Sequence, residues 1–304
     1  MRGEVHPYAT LAYARTLAHV GRPVEVPAWQ THVIVRRFGD RATDAAGPYP
    51  ITCFAGQCDL RAGLENLKDM GLVSVTAVID ELASPPIGSF QHVFSLVRPY
   101  KTHYLVDTTD GAYRPSDHHQ REIRRAARLG VEVREVSLAD ILDGWTTLYD
   151  DLIARHGISG VQRFSRASFE ELTRCNGVAT MAAFIGEEMV SCHVWMRHED
   201  AVWSHLAASS ARGYSTGAAY AVYDHSIRSF SGCTVSLGGA AGTGDSPGDG
   251  LARLKAGFAN RSGKSFLIGS VLDAAEYQRL SESSCGDRDS GFFPIYRAPA
   301  TSPE

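Results

Sequence analysis

The stretch VSLGGAAGTGDSPGDGLARLKAGF, residues 235–258, contains a predicted strand, a long glycine-rich loop and a short helix in direct succession. Glycine loses much backbone entropy on folding, so this many glycines predict a segment where the backbone approaches another group closely or moves. The short helix carries Lys255 among small and apolar neighbours, and Phe258 follows it. Lys255 is therefore either a functional cation near Gly238 and Gly239 or a surface lysine whose alkyl chain covers apolar residues.

A second glycine-bearing turn lies in SARGYSTGAAYAVYD, residues 210–224. The order along the chain is a strand, the pattern Arg-Gly-x-Ser-x-Gly-Ala and a helix. This order brings backbone N–H groups and a helix start to a place where a diphosphate could bind. The turn resembles that of the acetyl-CoA-dependent N-acetyltransferase superfamily, with Ser215 in place of a glycine. The sequence predicts either an anion site beside Arg212 or a helix start without a ligand.

A cationic stripe runs along the helix predicted over residues 116–129. Spacing of i, i+3, i+4 and i+7 puts four arginines on one helix face, namely Arg121, Arg124, Arg125 and Arg128. Clustered arginines suit a docking surface for backbone phosphates, and an ordinary solvated face is the alternative. The adjoining pair His118–His119 is predicted to be a solvated helix start rather than a set of metal ligands.

The order of predicted elements suggests a duplication. Helices and β-branched strands alternate up to residue 137, and a similar order then begins again, with a three-stranded meander over residues 180–209. FFPIYR, residues 292–297, is predicted as a late strand. The predicted fold class is α/β with mixed sheets, in two tandem lobes over residues 1–137 and 138–289.

Composition narrows the possible functions. A net charge of −4 over 304 residues argues against a protein that grips a long nucleic acid over much of its surface, although a local phosphate site is compatible with it. No apolar run is long enough for a membrane helix, and no secretory signal is recognisable, so a cytoplasmic location is expected. The scattered cysteines indicate reduced thiols rather than disulfides or zinc, and the P-loop and dinucleotide-binding patterns fail on spacing.

Three strings together resemble the Fem-type transferases (FemA, FemB and FemX), which use aminoacyl-tRNA to build peptide bridges on cell-wall precursors. They are REIRRAARLGVEV, LGGAAGTGDSPGDGLARLKAGF (residues 237–258) and FFPIYR. The resemblance covers roughly residues 5–297 and implies two tandem GNAT-like lobes, the first completed by a C-terminal strand at about residues 290–300. The coiled-coil arm of the larger Fem proteins is not expected, because no long charged heptad segment is present. The lysine that follows the early tryptophan in the family has no counterpart after Trp29, so a smaller peptide or nucleoside-like acceptor competes with a UDP-linked one.

The resemblance also implies roles for individual residues. Lys255 matches the family's lysine after the glycine-rich loop and would stabilise the tetrahedral oxyanion, the leaving ribose oxygen or a terminal phosphate. Asp80 falls where the family has a carboxylate proposed to help deprotonate the acceptor. Arg212 and Tyr214 would hold polar groups of the acceptor, and Lys101 either lines the cleft or caps a strand end.

The resulting hypothesis is an aminoacyltransferase that moves an aminoacyl group, alanine being one candidate, from tRNA to an amine of a nucleoside-peptide antibiotic intermediate or a cell-wall precursor. Aminoacyl-tRNA is then a co-substrate, no cofactor or metal is expected, and the chain is expected to be a monomer. The predicted substrate-binding residues are Arg212, Tyr214, Lys101, Gly238, Gly239 and Phe258, and the predicted tRNA-binding residues are the four arginines of the stripe. Two alternatives stay open, an acyl-CoA-dependent N-acyltransferase and a non-catalytic RNA- or peptide-binding protein.

Overall fold

The structure, a computed structural model, describes residues 5–54, 56–109, 113–242, 250–284 and 291–299. Their contacts divide the chain into two compact units. Unit 1 comprises the described residues up to Tyr100 and from Ser265 onward, and unit 2 comprises Lys101–Lys264. This division differs from the lobe boundary predicted near residue 137, because the arginine-bearing helix packs within unit 2.

The helices of the described ranges are short. In chain order they are α1 (Leu11–Arg15), α2 (Leu60–Asp69), α3 (Ile87–Gln91), α4 (Asp117–Arg128), α5 (Leu142–His156), α6 (Arg166–Leu172), α7 (Ala211–Thr216), α8 (Ala218–Ser229), α9 (Gly250–Ala256) and α10 (Ala274–Ser283). Single 3-10 turns lie at Pro7–Ala9, Pro27–Trp29, Gly160–Gln162 and Ile295–Arg297. Among the described residues, no helix has the length and apolar character needed to cross a membrane.

The strands belong to mixed sheets. They are β1 (Arg22–Val26), β2 (Thr31–Phe38), β3 (Ala42–Ala46), β4 (Ser74–Asp80), β5 (Leu96–Asp107), β6 (Glu132–Glu135), β7 (Val178–Ile185), β8 (Glu188–His198), β9 (Ala201–Ser209), β10 (Thr234–Gly238) and β11 (Arg261–Val271). Their β-branched and aromatic side chains favour a pleated, half-buried surface.

In unit 1 the strand order is β1-β2-β3-β4-β11. The β3–β4 pair is parallel and the other pairs are antiparallel, with Ser265 of β11 opposite Asp80 at the end of β4. The core of this unit is built around Trp29, whose indole N–H donates to the Leu60 carbonyl at 3.0 Å. A Cβ on Gly63 would lie 1.9 Å from the indole nitrogen, so only glycine lets α2 approach the tryptophan this closely.

In unit 2 the strand order is β5-β10-β9-β8-β7-β6, and α4 and α8 pack against each other. β10 runs parallel to β9, and the two pair only from Thr234–Ala201 to Ser236–Trp203. Beyond this point β9 continues to Ser209 without a partner in β10. The residues after Trp203 on β9 and after Ser236 on β10 therefore lie where the two strands no longer pair.

Three predicted elements differ in the structure. Apolar side chains at helical spacing predict one helix over residues 7–20, but the structure breaks it, because Thr10 caps the short α1 with its side chain. PITCFAG, residues 50–56, has the composition of a strand, but residues 50–54 and 56 form none, and the Thr52 N–H donates to the Val78 carbonyl at 2.7 Å. The predicted closing strand over FFPIYR is wrong: Ile295–Arg297 is a 3-10 turn, held to unit 1 by side chains rather than by a strand ladder.

Candidate active site

Lys255 is held inside unit 2 by α9. Its side chain is only 7% exposed, and its ammonium donates to the Gly239 carbonyl at 2.6 Å. A surface lysine would keep its head in water, so this alternative does not describe Lys255. A buried ammonium must be paired with acceptors, because leaving it unpaired would cost several kcal/mol, roughly the penalty for a desolvated ion.

Lys101, on β5, reaches the same turn from another strand. Its ammonium donates to the Ala240 carbonyl at 2.8 Å and to the Gly242 carbonyl. We call Lys101, Lys255 and the backbone from Gly238 to Gly242 the lysine–glycine turn. The two lysine ammonium groups thus donate to three carbonyl oxygens of one short segment, those of Gly239, Ala240 and Gly242.

The two predicted glycines of this turn have separate physical reasons. Gly238 has a φ of +72°, a left-handed conformation that other residues adopt only with strain. At Gly239 a Cβ would lie 2.9 Å from the Lys101 side chain and 3.1 Å from the Thr102 carbonyl. The glycines therefore allow a tight backbone turn between two lysines. The loop over residues 243–249, which carries the next glycines of the motif, lies outside the described residues.

Phe258 belongs to the apolar core of unit 2. Its ring stacks on Tyr223 with centroids 5.4 Å apart and an angle of 8°. Tyr223 in turn packs edge-on against His193, at 4.6 Å. Phe258 is buried, so it does not present its ring to solvent.

His193 and Ser204 form a polar pair on neighbouring strands that the sequence did not reveal. The His193 Nε2 lies 2.9 Å from the Ser204 hydroxyl, and the imidazole stacks on Trp195 at 3.8 Å. Burial, and then the charge of Lys255, lowers the pKa of His193 well below its usual range. The neutral imidazole of His193 lies on β8, and the Ser204 hydroxyl lies on β9, one position after the last β9–β10 pair.

The predicted anion turn at Arg212 is a short helix instead. In α7 the Gly213 N–H donates to the Ser210 hydroxyl, and the Tyr214 N–H donates to the Ser210 carbonyl. Gly213 is needed for packing, since a Cβ there would lie 2.1 Å from the Val190 carbonyl. Two of the N–H groups expected to cradle a phosphate, those of Gly213 and Tyr214, thus already donate to Ser210.

Arg212 and Tyr214 lie on the exposed side of this helix. Arg212 pairs with Glu188, and the Arg155 guanidinium lies 4.5 Å from the centroid of the Tyr214 ring. Exposed ion pairs of this kind contribute little to stability. The predicted role of both residues in holding the acceptor stays a prediction.

The four arginines of α4 are exposed on one helix, as the spacing predicted. Arg125 bridges α4 to α7, because its guanidinium donates to the Ser215 carbonyl at 2.8 Å and pairs with Glu122. The adjoining His119 is not solvated, which corrects the prediction for the histidine pair: it is 4% exposed and packs against Phe258. Among the described residues no cluster of histidine, cysteine and carboxylate side chains is suited to a metal.

Asp80 lies in unit 1, at the end of β4, and is 3% exposed. Its Oδ1 accepts the N–H groups of Leu82 and Ala83 at 3.1 and 2.8 Å. The carboxylate thus fixes the turn after β4. Its role as a base for the acceptor amine stays a prediction.

Buried imidazoles make stability depend on pH. Burial lowers the pKa of His205 to about 3, and the pKa of His193 is also depressed. Both rings stay neutral in the folded protein, whereas an unfolded histidine gains a proton below pH about 6.5. The free energy of unfolding should therefore fall as the pH drops below about 6.5, by at most about 1.4 kcal/mol per histidine and pH unit.

Urea unfolding at pH 7.5, 6 and 5 measures this dependence. His205→Gln, which keeps a polar side chain of similar size, should flatten the curve. An equal slope in the variant would show that His205 does not take up the proton on unfolding.

These elements form a mixed α/β fold, as the sequence predicted, and the resemblance of this fold to FemX is confirmed. The structure is similar to that of FemX, with a TM-score of 0.62 and 11% identity over 90% of this chain and 95% of FemX. It is similar to the C-terminal domain of a protein from Agrobacterium fabrum described as a lysylphosphatidylglycerol synthetase, with a TM-score of 0.60 and 14% identity over 88% and 89% of the chains. It is also similar to L-PGS from Bacillus licheniformis, with a TM-score of 0.59 and 12% identity over 89% of this chain and 94% of L-PGS. No family profile and no curated protein matches the sequence.

Proposed function

We propose that this protein transfers an aminoacyl group from tRNA to an amine and forms an amide bond. The observation that carries the proposal is the buried Lys255 ammonium, bonded to the Gly239 carbonyl oxygen at 2.6 Å in a fold similar to that of FemX. A carbonyl oxygen is the kind of acceptor that an aminoacyl ester presents, and it becomes an oxyanion when the ester is attacked. An ammonium in a low-dielectric site stabilises such developing charge strongly.

The chemistry needs no external oxidant or energy source. The amine nitrogen attacks the ester carbonyl carbon, a C–N bond forms, and the C–O bond to the ribose breaks. The electron pair of that bond goes to the ribose oxygen, which takes up the proton released by the amine. Lys255 stabilises the oxyanion, and holding both reactants in place supplies about 7–11 kcal/mol of the barrier reduction.

The donor in this proposal is aminoacyl-tRNA, and its phosphates dock on the exposed arginines of α4. Alanine is the first amino acid to test, because the sequence also resembles the alanyl-tRNA-dependent transferase of pacidamycin biosynthesis. The acceptor is the amine of a small peptide or nucleoside-peptide, and the reaction takes place in the cytoplasm, where charged tRNA is found.

An acyl-CoA-dependent N-acyltransferase is the second candidate, since the fold suits it equally. The observation that disfavours it is α7, where backbone N–H groups that would bind a CoA diphosphate already donate to Ser210. Each N–H group that donates within the chain is one fewer donor for a phosphate.

The arginines of α4 provide a quantitative test of docking. Arg124→Ala and Arg128→Ala should each weaken tRNA binding and lower the slope of log affinity against log salt by about 1, the share of one phosphate contact. Arg174→Ala, which removes an exposed arginine paired with Glu171, is the matched control and should leave both unchanged. Equal affinities across the salt range for all three variants would remove α4 from the tRNA site.

The donor and acceptor are tested together by mass spectrometry. The protein is incubated with total charged tRNA and a panel of amines, with and without ribonuclease, and in parallel with acetyl-CoA. A mass gain of one aminoacyl residue that ribonuclease abolishes supports the proposal. A gain with acetyl-CoA alone would move the protein to the second candidate.

A further inference from the structure

The first turn of α4 is joined to the end of α9 by hydrogen bonds. The His119 Nε2 lies 2.8 Å from the Leu254 carbonyl, and the His119 Nδ1 lies 2.9 Å from the Ser116 hydroxyl. The Ser116 N–H donates to the Gly257 carbonyl at 2.8 Å. Because a carbonyl can only accept, Nε2 carries the proton and Nδ1 accepts from Ser116. Burial lowers the pKa of His119, which favours this neutral form.

Packing also fixes the contact between the start of α4 and the end of α9, which we call the α4–α9 junction. The His119 ring fills the space beside Gly257, where a Cβ would lie 2.0 Å from the imidazole. The ring also packs edge-on against Phe258, at 4.5 Å, and against Tyr220, at 4.9 Å. The end of α9 therefore has one well-defined position relative to the start of α4.

Lys255 lies inside this junction. It follows Leu254, which accepts from His119, and precedes Gly257, which accepts from Ser116. A rotation of α9 that moved the Lys255 ammonium from Gly239 would also break the bond from His119. The placement of the lysine is thus tied to a residue of the arginine helix, two positions before Arg121.

We propose that His119 is a positioning residue that fixes Lys255 to the arginine helix, so that binding of RNA phosphates on α4 and the placement of the Lys255 ammonium are coupled. The coupling to RNA rests on the proposed function, whereas the positioning of Lys255 does not. In this arrangement α4 both docks the donor and holds the cation that acts on its ester.

The positioning is tested without any turnover, by amine labelling with an N-hydroxysuccinimide ester and mass spectrometry. The chain has four lysines, Lys68, Lys101, Lys255 and Lys264, so each can be followed separately. His119→Leu still fills the space with a side chain but removes the hydrogen bonds to the Leu254 carbonyl and the Ser116 hydroxyl. It should speed labelling of Lys255 roughly fivefold relative to Lys68 and Lys264. His119→Gln, whose amide can again donate to Leu254, should restore slow labelling.

A second variant keeps the test decisive if His119→Leu folds poorly. Ser116→Ala leaves His119 in place but removes the hydroxyl that orients it, and should speed Lys255 labelling to a smaller extent. Unchanged labelling of Lys255 in both folded variants would overturn the positioning role. A parallel rise at Lys68, Lys101, Lys255 and Lys264 would also overturn it, because that pattern reports general loosening.

The coupling is tested by adding a tRNA acceptor-stem duplex. In the wild type the duplex should slow labelling of Lys255, whereas in His119→Leu it should bind with unchanged affinity and leave the labelling rate unaltered. In the transfer reaction His119→Leu should lower kcat with little change in KM for tRNA. Arg124→Ala should raise KM for tRNA with little change in kcat. If the duplex slows Lys255 labelling equally in both proteins, the coupling through His119 is wrong; if the duplex binds neither protein, the proposed function fails while the positioning test stands.

Discussion

Lys255→Ala should lower the rate of aminoacyl transfer by about 10²–10³, the loss that follows removal of one preorganised oxyanion donor. The ammonium is buried and already bonded to a carbonyl oxygen, so its charge acts in a site of low dielectric constant. Single-turnover measurement of the chemical step, with saturating tRNA, separates this loss from any change in binding. The affinity for tRNA itself should change little, because Lys255 is not part of the exposed arginine stripe.

The control for this variant is Lys264→Ala, which removes an exposed lysine near the end of unit 2. It should transfer at the wild-type rate. A folded Lys255→Ala protein with wild-type single-turnover kinetics would remove Lys255 from the chemistry and favour the view that the lysine–glycine turn is structural.

Asp44→Ala should lower the free energy of unfolding of unit 1 by about 3–5 kcal/mol, the range for removing one partner from a buried ion pair. Asp44 is fully buried and accepts from Arg36 at 3.0 Å, from the Arg297 guanidinium at 3.1 Å and from the Tyr296 hydroxyl at 3.0 Å. Without the carboxylate, two guanidinium groups and a phenol lose the acceptor that they share, although Arg297 and Tyr296 keep a second partner each. The segment after residue 290 should then detach from unit 1 before the rest unfolds.

Urea unfolding at pH 7 measures the change, with hydrogen exchange of β3 and β4 amides reporting on unit 1 alone, because a chain of two units need not unfold in one step. Glu276→Ala is the control, since it breaks an exposed pair with Arg279 and should change stability little. If Asp44→Ala unfolds at the same urea concentration as Glu276→Ala, the buried network does not hold the C-terminal segment.

Local patterns in the sequence were sufficient to predict those strands and helices whose bounds are set by neighbouring residues. β-branched residues predict strands over residues 31–38 and 73–80, and β2 and β4 match these bounds within one residue. α4 begins at a serine cap and ends before a glycine, so its predicted bounds were also nearly right. The closing segment was misread because FFPIYR has the composition of a strand. Its conformation depends on Asp44, which lies 253 positions before Arg297 and carries no local signal.

The candidate site was predictable only in part, for a similar reason. Lys255, Gly238 and Gly239 stand in one motif, and the structure brings them together with Lys101. His119 looked like a solvated helix start because Asp117 and His118 beside it are polar and exposed. Its burial depends on α9, which approaches from more than a hundred residues away in sequence.

The turn over residues 210–217 shows how a motif can be satisfied by packing. Its glycine at position 213 matched a phosphate-binding pattern, yet the structure uses the missing side chain to bring α7 against the Val190 carbonyl. A glycine that permits close approach has the same sequence signature whether the partner is a ligand or the chain itself.

The most direct test of the central claim follows the acyl carbon. Aminoacyl-tRNA charged with a ¹³C-carbonyl amino acid is supplied with an amine acceptor, in the presence of excess unlabelled free amino acid and ATP. The account predicts that the product amide carries ¹³C, that ribonuclease abolishes its formation, and that Lys255→Ala forms it at least about a hundredfold more slowly. An unlabelled amide, or an amide formed only from acyl-CoA, would contradict transfer from tRNA.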